Sequence, residues 1–292
     1  MYRFNLFFFT LFFTLFCAFF STNIAAQDGP NAYKIFNSKG RHMSYSDLLK
    51  DARNADVVFF GELHNNPIAH WLQLELCKEL YARHQDKLIL GGEFFEADNQ
   101  IAINEYFLDY ISERSFESES RPWSNYATDY KPIINFAKKY ELRFVATNVP
   151  RRYASMVAKK GLAALDELPG YSKIYLPPLP IKEEYTLGCY QRMLEMSDNN
   201  PLFAQAQMLK DATMAQNIFK NLQPKETFFH INGAFHSDYN EGIIYYLQLL
   251  NPDLKILVIS TVEQEKAEKL SPDHYLRGDY IIVVPEEMTK TH

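Results

Sequence analysis

Two short apolar runs that end in the same pattern constrain this chain most. Val57-Val58-Phe59-Phe60 leads into Gly61-Glu62-Leu63-His64. Thr227-Phe228-Phe229-His230-Ile231 leads, after Asn232, into Gly233-Ala234-Phe235-His236. A third run, Leu88-Ile89-Leu90-Gly91-Gly92, ends in Glu93. Runs this short and continuously apolar suit strands buried on both faces, the habit of parallel sheets covered by helices. In open sheets of that kind the ligand crevice lies beyond the carboxyl ends of the strands. If the three runs are neighbours, two histidines and two carboxylates converge on one crevice.

The rest of the chain supports that architecture. Further strands are expected over 143–148, 255–261 and 279–284. Helices are expected over 66–83, 98–111, 130–140, 150–161, 183–196, 202–222 and 240–250. Pro150 before and Gly161 after one of these helices follow the usual end asymmetry. Alternation breaks after Leu165, where Pro169, Gly170, Pro177, Pro178 and Pro180 interrupt the pattern, and two helices come next with no strand between them. The expected fold is α/β: a mostly parallel sheet with right-handed crossovers, flanked by helices, with a smaller helical subdomain. The α/β domain takes 28–160 and 211–292, and the helical insertion 161–210.

Residues 1–27 read as a signal peptide. Arg3 precedes an almost continuous Phe/Leu stretch from Leu6 to Phe20, and Ala25-Ala26 offers a cleavage site. Cys17 lacks the small preceding residues of a lipobox, so an exported protein, periplasmic or extracellular and without a lipid anchor, is expected. The formal net charge is −6, with no Lys/Arg run, which argues against nucleic acid as a partner. Cys77 and Cys189 remain after processing. They could form one disulfide in an oxidising compartment, while Cys77 within a helix suits a buried thiol. No Cys/His cluster with zinc-site spacing is present.

Glu62, His64, Glu93 and His236 are the candidate catalytic set, because imidazole and carboxylate at strand ends can do acid–base work. The same donors, His64 and His236 above all, suit a divalent metal. Arg151 and Arg152 open a helix, where a cation is electrostatically misplaced, so Arg151 is a candidate for binding an anionic group. His70 reads equally well as a satisfied polar residue or as a site residue. Tyrosines crowd two stretches, with Tyr126 in one and Tyr185 and Tyr190 in the other. Each could be ordinary packing, or the group could line a flat apolar ligand.

In this order the motifs resemble the ChaN-like haem-binding uptake family, which groups with TIKI/TraB proteins and erythromycin esterases. They are Gly61-Glu62-x-His64 with His70, Gly92-Glu93-Phe94-Phe95 with Gln100, Trp123, Ala146-Thr147-Asn148-Val149-Pro150-Arg151, Gln207-x-x-x-Asp211-Ala212-x-Met214-Ala215 and Gly233-x-x-His236. The resemblance implies haem bound at a homodimer interface, with a tyrosine on iron and histidine or lysine of the partner at the propionates. It also implies membrane association through an outer-membrane haem uptake system. No motif singles out the tyrosine; Tyr126, Tyr185 and Tyr190 are candidates from clustering, and His70 joins them as cofactor-binding. Two functions are therefore expected in competition: haem uptake, and ester or amide hydrolysis by the Glu/His crevice.

Overall fold

The computed structural model describes residues 32–291. The export segment expected over 1–27 lies outside them. Among the described residues no helix is long and apolar enough to cross a membrane.

Strands β1 (Lys34–Asn37) and β2 (His42–Met43) form an antiparallel hairpin. Helix α1 (Tyr45–Ala52) comes next, its start fixed by reciprocal capping between Ser44 and Asp47. Then come β3 (Val57–Glu62), α2 (Pro67–His84), β4 (Leu88–Glu96), α3 (Gln100–Phe107), α4 (Glu113–Ser120), α5 (Lys131–Lys139), β5 (Arg143–Asn148) and α6 (Arg151–Lys160). The chain continues through α7 (Gly170–Lys173), α8 (Gly188–Met196), α9 (Pro201–Asn221), β6 (Thr227–Gly233), α10 (Ile243–Leu250), β7 (Ile256–Gln264) and β8 (Tyr280–Pro285).

One eight-stranded sheet runs in the order β2-β1-β8-β7-β3-β6-β4-β5. The stretch from β8 to β5 is parallel throughout, and β1 joins β8 antiparallel. The fold is the α/β class expected, and the six strands read from the apolar runs are all present. Strand β3 sits centrally between β7 and β6, so its alternate residues serve two cores. Val58 and Phe60 pack with Leu72, Leu76 and Ile134 beneath α2 and α5. Val57 and Phe59 pack with Val157, Met208 and Leu247 beneath α6, α9 and α10. Each fully buried side chain of this size contributes about 1.5–3 kcal/mol.

Several elements differ from expectation. The domain boundary expected at 210 falls inside α9, which runs unbroken because Leu209, Ala212 and Met214 continue the same packed surface. The helix expected over 98–111 shortens to α3, since Asp109 adopts a left-handed conformation. Cys77 and Cys189, by contrast, are separate buried thiols, the reading that the place of Cys77 within a helix favoured over a disulfide.

Two local features shape the working parts of the sheet. Glycines stand at the ends of β3 and β6 where their loops meet, Gly61 next to last in β3 and Gly233 last in β6: a Cβ on Gly61 would come within 2.9 Å of Ala234 Cα, and one on Gly233 within 2.8 Å of the His64 ring. Only residues without side chains allow this approach. At the far edge, β5 is closed by side-chain amides. Gln100 Nε2 donates to Phe144 O and Gln100 Oε1 accepts from Ala146 N, both at 2.8 Å, and Asn217 Nδ2 donates to Thr147 O at 2.9 Å.

Candidate functional site

Glu62 is the last residue of β3, and its carboxylate is almost fully buried. Burying a charge is costly unless donors surround it. Here Tyr130 Oη and Gln73 Nε2 each donate to it at 2.5 Å, and His64 Nδ1 donates at 2.9 Å. Tyr130 ends a single π-helical turn, Tyr126–Tyr130, a distortion that recurs at functional sites. Burial first, and then the Glu62 charge, hold its phenol protonated, so it serves Glu62 as a donor. The same turn fixes the loop beyond Glu62, because Asn125 Nδ2 donates to His64 O at 2.7 Å.

His64 is the accessible member, its side chain 45% exposed. Its ring meets Trp123 edge-on at 4.8 Å. Burial opposes charging this ring, but the hydrogen bond to Glu62 and the charge of Glu93 outweigh it, and the pKa rises above the ordinary value.

Glu93 lies in β4 and His236 just past β6. His236 Nε2 is 3.2 Å from Glu93 Oε1, and Nδ1 contacts Asp211 Oδ1 closely. Asp211 in turn accepts from Tyr190 Oη at 2.7 Å, and Glu93 accepts from Gly233 N at 2.9 Å. Burial works against the His236 charge, but the two carboxylates raise its pKa to about 10. Burial likewise pushes the Glu93 carboxyl up, yet the His236 charge prevails and holds it well below the usual carboxylate range. The unit is thus a fixed imidazolium between two carboxyl groups.

Glu62, His64, Glu93 and His236 line one crevice of about 810 Å³ at the carboxyl ends of β3, β4, β6 and β7. The pairing β7-β3-β6-β4 makes their strands neighbours. Arg151 does not join them: it faces away and pairs with Glu96, while Arg152 pairs with Asp98. The charge misfit at the start of α6 is offset by these two carboxylates. His70 sits behind Glu62, its Nε2 donating to His64 O at 3.0 Å and its Nδ1 facing Gln73 Oε1 at 3.1 Å, and supports the loop rather than lining the crevice. Among the tyrosines, Tyr126 is buried against Phe95 and Phe116, and Tyr190 is buried on Asp211. Tyr185 pairs with Glu183 and Gln205. Neither Tyr126 nor Tyr190 presents an open phenol.

A divalent metal on His64 and His236 does not fit this donor set. Both ring nitrogens of His236 already face the carboxylates of Asp211 and Glu93, and the Glu62 and Glu93 oxygens are occupied by donors. Among the described residues no group of three or more His, Cys, Asp or Glu side chains is arranged to hold a metal ion.

Residues that reasoning from sequence missed complete the crevice. Asp211 was legible only as part of Gln207-x-x-x-Asp211, whose spacing sets both side chains on one face of α9 toward His236. Asp211 stands behind His236, whereas Lys210, Arg192 and Arg277 line the crevice itself and carried no signal.

Residues 48–247 match the family described as haem-binding uptake, Tiki superfamily, ChaN. The chain belongs to this family. Its fold is that of ChaN of Campylobacter jejuni, described in a structure of cofacial haem binding: the TM-score is 0.65 at 14% identity, covering 86% of this chain and 96% of that one. An erythromycin esterase mutant, EreC, in its open conformation matches with a TM-score of 0.46 at 13% identity, over 82% of this chain and 78% of that one. The type III effector HopBA1 matches with a TM-score of 0.47 at 15% identity, over 83% and 92%. No curated protein matches the chain. The protein therefore carries a ChaN-family haem-binding domain; Glu62, His64, Glu93, Arg192, Lys210 and His236 of the crevice lie within the matched region, and its wall at 261–263, His274 and Arg277 lies beyond it.

Proposed function

We propose that the protein takes up haem as cargo, and that the macrocycle lies in a groove of about 860 Å³ at the β5 edge of the sheet. The lining of that groove carries the reading. Phe107, Leu108, Phe144 and Ile174 offer an apolar wall, Tyr175 offers a half-buried phenol, and Lys138 and Arg143, paired with Asp109 and Glu226, offer cations that could exchange those partners for a ligand carboxylate. A flat apolar ligand with two carboxylates needs that combination, and tyrosine is one of the known axial ligands of haem iron. Tyr175 thus takes the place that clustering had assigned to Tyr126, Tyr185 or Tyr190. The charged crevice suits the macrocycle less well.

Leu108 and Ile174 are 61% and 66% exposed on the groove rim, which supports a second copy covering the haem in a homodimer. Export by the segment 1–27, and delivery from an outer-membrane uptake system, complete the proposal. Haemin titration followed by absorbance tests it. A Soret band with a ferric-tyrosinate charge-transfer feature is expected, the latter lost in Tyr175→Phe. No spectral shift with excess haemin would end the proposal. A mass that stays monomeric in analytical ultracentrifugation with haemin would remove the dimer.

A second reading, hydrolysis in the crevice, is favoured by the Glu62–His64 pair. Glu62 orients His64 as in hydrolytic triads, and the exposed edge of the ring can take a proton from water attacking an ester or amide carbonyl. Glu62→Gln is expected to abolish turnover, and to cost about 1–3 kcal/mol because one of its donors would face another donor. Wild-type turnover in that variant would remove Glu62 from the chemistry.

A further inference from the structure

Besides its histidines, the crevice contains four carboxylates and three Lys/Arg cations, and the two sets differ in how fully they are engaged. Glu62 is surrounded by Tyr130, Gln73 and His64, and Glu93 by His236 and the Gly233 amide. Asp238 accepts from Ser260 Oγ at 2.6 Å and from Arg277 Nη1 at 2.9 Å. Glu263 accepts from Asn66 Nδ2 at 3.0 Å and pairs with Lys290. The carboxylates are thus satisfied within the protein.

The cations are not. Lys210 forms no ion pair among the described residues. The Arg192 guanidinium comes only within 4.0 Å of Glu241. Arg277 uses one nitrogen on Asp238, while its Nε is buried without a partner. Thr261, which also lines the crevice, is 1% exposed, and its Oγ1 is likewise buried without a partner. Buried polar atoms normally have hydrogen-bond partners, so orphans gathered at one wall point to a missing acceptor.

The wall is also held in place. Tyr239 lies between the two guanidiniums, 5.3 Å from Arg192 and 5.7 Å from Arg277. It has a φ of 63°, in the left-handed region that a side chain of its size rarely adopts. Its N–H donates to Arg277 O at 2.8 Å. A strained residue that fixes two cations marks a functional wall better than a packing accident does.

We propose that Arg192, Lys210 and Arg277 form an oxyanion subsite that takes a phosphate or carboxylate group of the crevice's ligand, the remainder reaching toward His64. The proposal rests on the second reading only in taking the crevice as a ligand site. It assigns the role once expected of Arg151 to residues from three separate elements. Guanidinium and ammonium together suit an anion with several oxygens, and the Thr261 hydroxyl can donate to the same group.

Calorimetric titration of the full chain with inorganic phosphate, and separately with acetate, at constant ionic strength against sodium chloride, tests it. Saturable binding is expected at roughly millimolar concentration. Arg192→Gln and Lys210→Gln should each weaken it about tenfold, and Arg151→Gln should leave it unchanged. Both substituted side chains reach solvent, so the folds should survive, as melting curves will verify. Binding of phosphate alone identifies a phosphorylated ligand, and binding of acetate alone a carboxylate. No heat above the chloride control, or equal affinity in the Arg192→Gln/Lys210→Gln double variant, overturns the subsite. His64→Gln separates the two ideas: it should lose hydrolysis and keep phosphate binding, so wild-type turnover in that variant with intact binding sinks only the hydrolase reading.

Discussion

The crevice and the β5 groove are of similar size, about 810 and 860 Å³, yet they solve opposite problems. The crevice holds charges in fixed positions by surrounding each buried carboxylate with donors. The groove leaves apolar surface and a phenol open and places its cations at the rim. The first arrangement resists change and tunes proton affinity; the second adapts to a flat guest. Nothing requires one ligand to use both, and each region can be disabled without the other.

The largest expected difference is in stability. Glu93→Leu leaves the buried His236 charge half compensated and should cost about 3–5 kcal/mol in denaturant unfolding. A loss below about 1 kcal/mol would mean that His236 is not charged. The pH profile sharpens the same point. The folded pKa of His236 is raised from 6.5 to about 10, so its contribution is complete below 6.5 and is lost as pH rises toward 10. The folded pKa of Glu93 is lowered from 4.5, so its contribution is present above 4.5 and is lost in acid. The melting temperature should therefore peak between these ordinary values and decline steadily through the alkaline range; a flat alkaline limb would contradict the imidazolium assignment.

Gly233→Ala should have an intermediate effect. The new methyl meets the His64 ring, and overpacking of this kind costs about 1–3 kcal/mol. It should disturb any crevice activity while haemin titrates as in the wild type; a matching loss of haemin affinity would make the two regions one site. Tyr175→Phe should change stability least, within about 0.5 kcal/mol. Its effect should be confined to the absorbance spectrum, and an unchanged charge-transfer band would move the iron ligand to another tyrosine.

The strands and the Glu/His set were legible because each residue ends an apolar run, and parallel pairing brings such ends together. Strands β1 and β2 were not, since Lys34–Asn37 and His42–Met43 are too short to show a period. Helix α4, almost wholly polar, has Phe116 as its one buried apolar side chain and is hidden for that reason. Tyrosine crowding misled because neighbours in sequence part in space: Tyr190 turns inward to Asp211 while Tyr175 lines a groove. Arg151 misled because the carboxylates that answer the two arginines, Glu96 and Asp98, come from a distant turn. The oxyanion wall left no trace because Arg192, Lys210 and Arg277 share no motif and meet only in the folded chain.

The amide closure of β5 has a consequence for assembly. An unprotected outer strand invites another chain to add to the sheet, and repeated addition makes fibres. Gln100 and Asn217 occupy the backbone groups that such a chain would need. Two copies meeting over this edge can join only through side chains and whatever guest lies between them. If the proposed pair forms there, it would stop at two copies and would reverse when the guest departs, as a carrier that must surrender its load requires.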